Sequence, residues 1–391
     1  MSAPPVQPIV IWFGRVGDMI LLSALLDVLH RRYGRPCHVI GAGPWPAEIY
    51  ASHSDVARVT CLRRYTAFLF DPAWWRALAA LRAARGSPVY VCEHDPHKLV
   101  RIRRLLRLSG TDPAHCLFLI REVSLPELHR AEAPSAPASV DAPAHWVDRL
   151  VTFGRLTPAA FDAADYPWPS PPPLCAPRLE VSAAARAECA AWIEAQGWGG
   201  RPLVLVQPGN RRTMRGGRLR LSSADDKAWP IERWAGLLRQ VHAHLPQAVI
   251  VLCGAPRETL LLGWIAAAAQ LPAVAAAELP LPRLLALCAR ADSMISVDTG
   301  PAHAAAALSL PLVVMFGPHA QQQWLPRSPS GSPVVGVGGP PHSSRLDQIP
   351  METVFAAWCA LRGCDPQAAA AAAAGTADGA LKPTTAHATA P

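Results

Sequence analysis

The chain twice spells the same alternation: a short β-branched apolar run, a turn of small and polar residues, then a longer apolar pattern at helical spacing. In the first half, strand "PIVIWF" passes through "GRVGD" into helix "MILLSALLDVLHRRY", closed at Gly34, and strand "CHVIGAG" follows. "SPVYVCEH" near residue 90 reads as a further strand of the same set. Strand, helix, strand in that order implies a parallel sheet with right-handed crossovers. The second half repeats it with strands "PLVLVQPG", "AVIVLCGAP", "SMISVD" and "PLVVMFGP" separated by helical stretches. The expected class is therefore α/β, with two Rossmann-like doubly wound domains.

Length agrees, because 391 residues exceed what a single core usually encloses. Ala, Pro and Ser dominate from about Ala131 to Pro177, around a short helical stretch "HWVDRLVTFGRL". That composition marks an interdomain crossing, and we expect domains at 1–175 and 176–365. Residues 366–391 are Ala-rich and short of large apolar side chains, so a disordered tail is expected there. Just before it, "METVFAAWCALRG" carries an apolar helical stripe suited to packing back across the domain boundary.

A net charge of +8 favours anionic partners such as nucleotides, phosphorylated glycans or a membrane surface. The ten cysteines show no CxxC pair or zinc spacing, so reduced, core-filling thiols are expected. The N-terminus lacks a basic segment and its apolar run is cut by Arg15 and Asp18, which argues against a secretion signal and for the cytosol. The uncharged stretch "TLLLGWIAAAAQLPAVAAAEL" approaches membrane-spanning length, but Gln270 and Pro272 interrupt it, and a buried helix, a turn and a short strand account for the same residues.

Four short strings carry polar residues where strands meet helices. In "ISVDTGPAH", Asp298 ends a strand, Thr299 and Gly300 turn the chain, and Pro301 suits a first helical position, so a helix N-terminus points out of the sheet towards any bound anion. Thr299 is equally suited to a plain N-cap, and His303 to a packed residue of the first turn. In "DDKAWPIERW", Lys227 is a candidate phosphate cation or a solvated lysine, with Trp229 as a core plug. In "GAPRE", Glu258 is a candidate ribose acceptor or a helix-start acid. In "VGDMILLSALL", Asp18 is a candidate general base or an N-cap, and the glycines do not form a dinucleotide fingerprint.

Together, and in this order, these strings resemble glycosyltransferase family 9, the ADP-heptose:lipopolysaccharide heptosyltransferases, over about residues 9 to 318. The resemblance implies a GT-B fold whose C-terminal half holds a nucleotide sugar and whose N-terminal half holds the acceptor. It also implies inversion at the anomeric carbon. Asp18 would be the catalytic base; Lys227, Thr299 and Gly300 would hold the diphosphate; Glu258 would bind ribose and Asp298 the sugar hydroxyls, with His303 supporting that loop. ADP-heptose is the implied donor and a lipopolysaccharide core or lipid A–Kdo glycan the acceptor. No cofactor, metal or nucleic acid is implied, and the setting is cytoplasmic, at the inner face of the inner membrane.

Arg63, Arg64 and Lys98 lie where the family has basic residues and would contact acceptor phosphates. Arg101, Arg103, Arg104 and Arg107 follow on the same half, as acceptor or membrane contacts or as a solvated helix face. Two departures bear on substrate identity. "FGRVGD" offers Gly14 and Arg15 where the family has a hydroxyl residue, and a basic loop, 210–224, precedes Lys227. Competing readings are another nucleotide sugar or glycan acceptor on the same fold, a nucleotide-dependent oxidoreductase, and a catalytically silent nucleotide-binding protein.

Overall fold

A computed structural model describes residues 4–63, 70–122, 145–210, 212–215, 218–219, 227–271, 274–276 and 279–363. Arg64, the tail from 366, residues 131–144 of the Pro-rich crossing and most of the loop 210–224 lie outside the described residues.

The N-terminal half runs β1 (Ile9–Ile11), α1 (Val16–Tyr33), β2 (Cys37–Ala42), α2 (Trp45–Ile49), β3 (Val56–Leu62), α3 (Pro72–Ala83), β4 (Val89–Val91), α4 (Pro96–Ser109), β5 (Cys116–Phe118), α5 (Leu119–Glu122) and α6 (Trp146–Phe153). Its sheet is parallel, in the order β3-β2-β1-β4-β5. β1, β2 and β4 are buried throughout, as continuous apolar strands in a covered parallel sheet must be. Gly34, at φ 70°, ends α1 and donates its N–H to the His30 carbonyl. Asp71 and Asp95 cap α3 and α4 by accepting from amides of the first turn, each followed by a proline.

The C-terminal half continues with α7 (Ala183–Ala195), β6 (Leu203–Gln207), the hairpin β7 (Met214–Arg215) and β8 (Arg218–Leu219), α8 (Ile231–His244), β9 (Val249–Cys253), α9 (Thr259–Ala269), β10 (Val274–Ala276), α10 (Leu281–Cys288), β11 (Ser293–Val297), α11 (Gly300–Ala307), β12 (Leu312–Phe316), α12 (Gln321–Trp324), β13 (Val334–Gly338) and α13 (Met351–Leu361). The main sheet is again parallel, ordered β10-β9-β6-β11-β12-β13.

In each sheet the chain works outwards from a central strand to one edge and then jumps back beside it. The direction reverses between β1 and β4 in the first sheet and between β6 and β11 in the second. Crevices outside the carboxyl ends of strands at such reversals are where open α/β sheets bind ligands.

One apolar cluster lies under α3 and α4 and another under α8, α9 and α13. A third is shared by the two halves, running from α1 and α6 to α7, α10 and α11. α1 packs directly on α11, so the helix starts that follow β1 and β11 are held against each other. Each fully buried Leu, Ile or Phe in this seam contributes about 1.5–3 kcal/mol.

Two expectations are corrected. α13 does not cross to the other half; it packs on α8, β12 and β13, and the Trp358 indole N–H donates to Ser293 Oγ at 3.0 Å. Pro301 is the second helical residue, not the first, since α11 begins at Gly300. The long uncharged stretch divides as expected into α9 and β10, with Gln270 in the left-handed region (φ 53°) ending the helix. Among the described residues no helix is long and apolar enough to cross a membrane.

Candidate active site

Asp18 occupies the third position of α1, just past the end of β1. Its Oδ2 accepts from the Arg15 amide at 2.7 Å. It is therefore not the N-cap, although it does satisfy an amide at the helix start. Gly14 is required here, because a side-chain carbon on it would stand 2.5 Å from Asp18 Cβ. The absent hydroxyl residue of the sequence comparison thus has a steric counterpart: no side chain fits at 14 unless Asp18 moves. Glu93, fully buried at the end of β4, accepts from the amides of Phe13, His94 and Asp95 at 3.0–3.1 Å. It ties the two strand ends of this reversal together.

Across the seam, Thr299 sits at the N-cap of α11, but its hydroxyl donates backwards to the Val297 carbonyl at 3.1 Å and caps nothing. The simple capping role is therefore not what its side chain does. Lys227 Nζ lies 2.6 Å from Asp298 Oδ2 and 3.3 Å from the Asp298 carbonyl. The lysine is thus not simply solvated: an ion pair holds it against the residue before the helix start. Thr299 and Gly300 are partly accessible, whereas Asp298 and His303 are buried.

His303 links the two sides. Its ring faces Gly17, where a side-chain carbon would come within 3.6 Å of His303 Cδ2 and of Gly300 Cα. Burial pushes its pKa down; the carboxylates of Asp298 and Asp18 oppose the shift and Lys227 adds to it. Asp18, Asp298 and Lys227 therefore all act on one neutral imidazole, whose Nδ1 is buried without a hydrogen-bond partner.

Glu258 follows β9, two strands from β11, at the start of α9. Its Oε2 accepts from the Ala255 amide at 2.8 Å, and its Oε1 is buried, unpartnered and turned towards Gly209, where a side-chain carbon would approach within 2.4 Å. Burial raises its pKa, against the Ala255 bond and Arg257. Asn210 donates Nδ2 to the Lys227 carbonyl at 3.2 Å.

The expected acceptor residues separate. Arg63 is exposed, with its amide bonded to Asp71 Oδ2; Arg64 lies outside the described residues. The Lys98 amine donates to the Phe13 carbonyl at 2.8 Å and stands 3.7 Å from Glu93, so it braces the strand ends. Sequence reasoning missed Glu93, whose only signal was an acid at a strand end. It also missed an aromatic series spanning the two halves: Trp12 and His94 at 6.4 Å, His94 and Trp146 at 5.5 Å, and Trp146 and Trp324 at 5.4 Å. Beside it lies a cavity of about 370 Å³ lined by residues that include His145, Gln321, Arg327 and His342. These residues are separated by up to about 300 positions in sequence, and no local pattern foretold their meeting.

The model of glycosyltransferase family 9 (heptosyltransferase) matches residues 144–345 of the chain. No curated protein sequence matches. Among solved structures, the Escherichia coli ADP-heptose LPS heptosyltransferase II is 20% identical, with a TM-score of 0.65 over 91% of this chain and 98% of that one. The family 9 glycosyl transferase of Veillonella parvula is 14% identical, with a TM-score of 0.67 over 92% and 98%. The E. coli heptosyltransferase WaaC, solved with ADP, is 18% identical, with a TM-score of 0.59 over 89% and 98%. These likenesses place the two-sheet architecture in the GT-B class.

Proposed function

Because the chain belongs to glycosyltransferase family 9, the heptosyltransferase family, and is thus a glycosyltransferase, we propose that it moves a heptose from an ADP-sugar to a lipopolysaccharide core acceptor with inversion. The observation that carries the proposal is the meeting of the two sheet reversals at His303, with Asp18 on one side and the Lys227–Asp298 pair on the other. The solved relative with ADP supports the choice of nucleotide.

In this reading the acceptor hydroxyl attacks the anomeric carbon from the Asp18 side while the bond to the diphosphate oxygen breaks on the other. The Asp18 carboxylate takes the hydroxyl proton as the new glycosidic bond forms. The departing diphosphate gathers negative charge, which Lys227, the backbone at the start of α11 and the Thr299 hydroxyl, once it turns from the Val297 carbonyl, stabilise. Lys227 is held ready by Asp298, which is released to meet sugar hydroxyls as the phosphates arrive. Glu258 Oε1, lacking a partner, accepts from the ribose. Neutral His303 packs the loop without adding charge. Exposed Arg63 is the described basic residue left to meet the acceptor's phosphates, and the charge on the leaving group is met without a divalent ion.

A donor screen tests the whole reading. ADP-heptose and other nucleotide sugars are offered with a lipid A–Kdo acceptor, and products are weighed by mass spectrometry. The expected result is a heptose added from the ADP-sugar alone. Asp18→Asn should lower the transfer rate about 10²- to 10⁴-fold with ADP affinity unchanged; equal rates in both proteins would remove Asp18 from its role.

A further inference from the structure

The cavity of about 370 Å³ beside the aromatic row takes no part in the proposed transfer chemistry. It lies at the carboxyl ends of the last two strands of the C-terminal sheet: Gln321, Gln322 and Leu325 follow β12, and Pro340, Pro341 and His342 follow β13. Two successive left-handed glycines, Gly338 (φ 73°) and Gly339 (φ 76°), turn the chain back there, and the His342 amide closes the turn by donating to the Gly339 carbonyl at 2.8 Å. Gln321 is held against β13 by donating to the Gly338 carbonyl, and a side-chain carbon on Gly336 would collide with its Oε1. The remaining wall is His145 of the N-terminal half, at the head of α6, whose Nε2 donates to the Leu325 carbonyl at 2.9 Å. The cavity is therefore preformed, and both halves build it.

Among the described residues its lining holds no unpaired guanidinium and no carboxylate. Arg327 is engaged by Asp148 through two bonds and donates a third to the Cys175 carbonyl at 3.1 Å. His145 uses both ring nitrogens, since Nδ1 accepts from the Val147 amide at 3.1 Å, and burial keeps the ring neutral. What remains are the Gln322 amide and the His342 imidazole, both exposed and, among the described residues, without a hydrogen-bond partner, beside the apolar faces of Leu325, Pro340 and Pro341. Such groups both donate and accept. A sugar ring matches them, with C–H faces for the apolar wall and hydroxyls for the amide and imidazole. A phosphate would find no free cation, and a hydrocarbon would strip water from both polar groups and return no bond.

Position indicates which sugar. Across the C-terminal sheet Glu258, the proposed ribose group, follows β9, Asp298 and the start of α11 follow β11, and β12 and β13 come next, on the side away from the ribose. From the other half, Trp12 directly follows β1, the strand that leads to Asp18, and the rings of His94, Trp146 and Trp324 continue from it in steps of 6.4, 5.5 and 5.4 Å to the residue beside Leu325. The row joins the strand end that carries the base to the cavity. We propose that the cavity holds an uncharged glycosyl unit of the acceptor, adjoining the unit whose hydroxyl is attacked, and that Gln322 and His342 select it through its hydroxyls. Part of acceptor recognition then stands on the C-terminal half, and a reaction that installs an uncharged sugar precedes this one. The acceptor as source rests on the proposed transfer, whereas occupancy by a neutral sugar does not.

Two measurements test it. Saturation-transfer NMR of the full chain with the methyl glycosides of glucose, galactose and mannose reads the cavity with no donor present. Signal is expected from at least one of them, is expected to persist with saturating ADP, and should vanish in Gln322→Trp, whose indole would occupy the cavity. No signal from any glycoside, displacement by ADP, or an unchanged signal in Gln322→Trp would each overturn the proposal. Transfer kinetics then compare two lipid A–Kdo acceptors, one bare and one carrying a single neutral sugar. The sugar-bearing acceptor should show the lower KM, and Gln322→Ala and His342→Ala should each raise that KM about three- to tenfold, as loss of one hydrogen bond does. Neither variant should move the KM of the bare acceptor or of ADP-heptose by more than about twofold. Equal KM values for the two acceptors, or variants that raise the donor KM instead, would sink the acceptor assignment. Sugar binding without product from any donor would count against the transferase reading and leave the cavity's ligand established, so the two failures are read separately.

Discussion

Glu258 holds one carboxylate oxygen on the Ala255 amide and keeps the other buried with no partner, at a cost in stability. Its pKa is raised by burial. The folded state therefore takes up the proton more readily than the unfolded chain, and the carboxylate contributes a penalty that is present at neutral pH and fades as pH falls through the folded value. Glu258→Gln removes the charge and keeps an acceptor oxygen. It is expected to raise the melting temperature at pH 7 but not at pH 4, while weakening ADP binding about tenfold or more by calorimetry, on the order of a charge-assisted bond. A melting temperature that falls at pH 7 would show that the ionised carboxylate stabilises the fold. Asp18, Lys227, Glu258, Asp298, Thr299 and His303 were each legible as polar residues where strands meet helices, and Gly300 as part of a turn there. What each side chain does was not, because hydrogen-bond direction depends on neighbours from other elements: Thr299 caps nothing, Lys227 is paired and Lys98 braces strands.

At the scale of elements, the turn from β1 into α1 has room for only one arrangement. Gly14 is its tight point: a side-chain carbon at 14 meets Asp18 Cβ at 2.5 Å, whereas one at 17 would stand in ordinary contact, 3.6 Å, with Gly300 and His303 of the opposing helix start. Gly14→Ala is expected to displace Asp18 and lower kcat at least tenfold, with ADP affinity within twofold of wild type, since the proposed diphosphate groups, Lys227 and the start of α11, lie on the other half; the tenfold loss corresponds to about 1.4 kcal/mol of transition-state stabilisation. Transfer kinetics and calorimetry check it, and an unchanged kcat would mean that the turn yields without moving the carboxylate. The elements themselves were largely legible. Apolar runs such as "LVLVQ" and "LVVMF" became fully buried strands, and "PIERWAGLLRQVHAHL" became α8 with Trp234, Leu237, Leu238 and Val241 inward. α13 was misplaced because an apolar stripe reports that a helix is buried, not which layer buries it.

Across the whole molecule, the two halves are joined by a shared apolar seam and by polar links that reach over the crossing. Arg327 of the C-terminal half holds Asp148 of α6 through two bonds of 2.6 and 2.9 Å, and His145 Nε2 lies 2.9 Å from the Leu325 carbonyl. Burial lowers the pKa of His145 and of His38 to about 4, and lowers that of His303. The unfolded chain binds these protons first as pH falls, so stability is intact above about 6.5 and is lost progressively down to about 4. The melting temperature should therefore drop over that window, by an amount corresponding to a few kcal/mol in total. His38→Gln should blunt the drop, and a flat profile from pH 7 to 4 would contradict the neutral buried state of these rings.

Order along the chain was enough to determine two parallel sheets, since a parallel pair demands a crossover and the crossovers are written as alternating strand and helix patterns. It also put the candidate polar groups at strand ends, because local periodicity says where each element stops. Only the tertiary structure decided that the two reversals face one another, that Gly17 meets Gly300 and His303, and that the charges of Asp18, Lys227 and Asp298 all act on one imidazole. The meeting at Gly17 joins residues nearly 300 positions apart. They exist because α1 and α11 bury their apolar faces in a common seam, a choice made by shape and packing that no local pattern encodes.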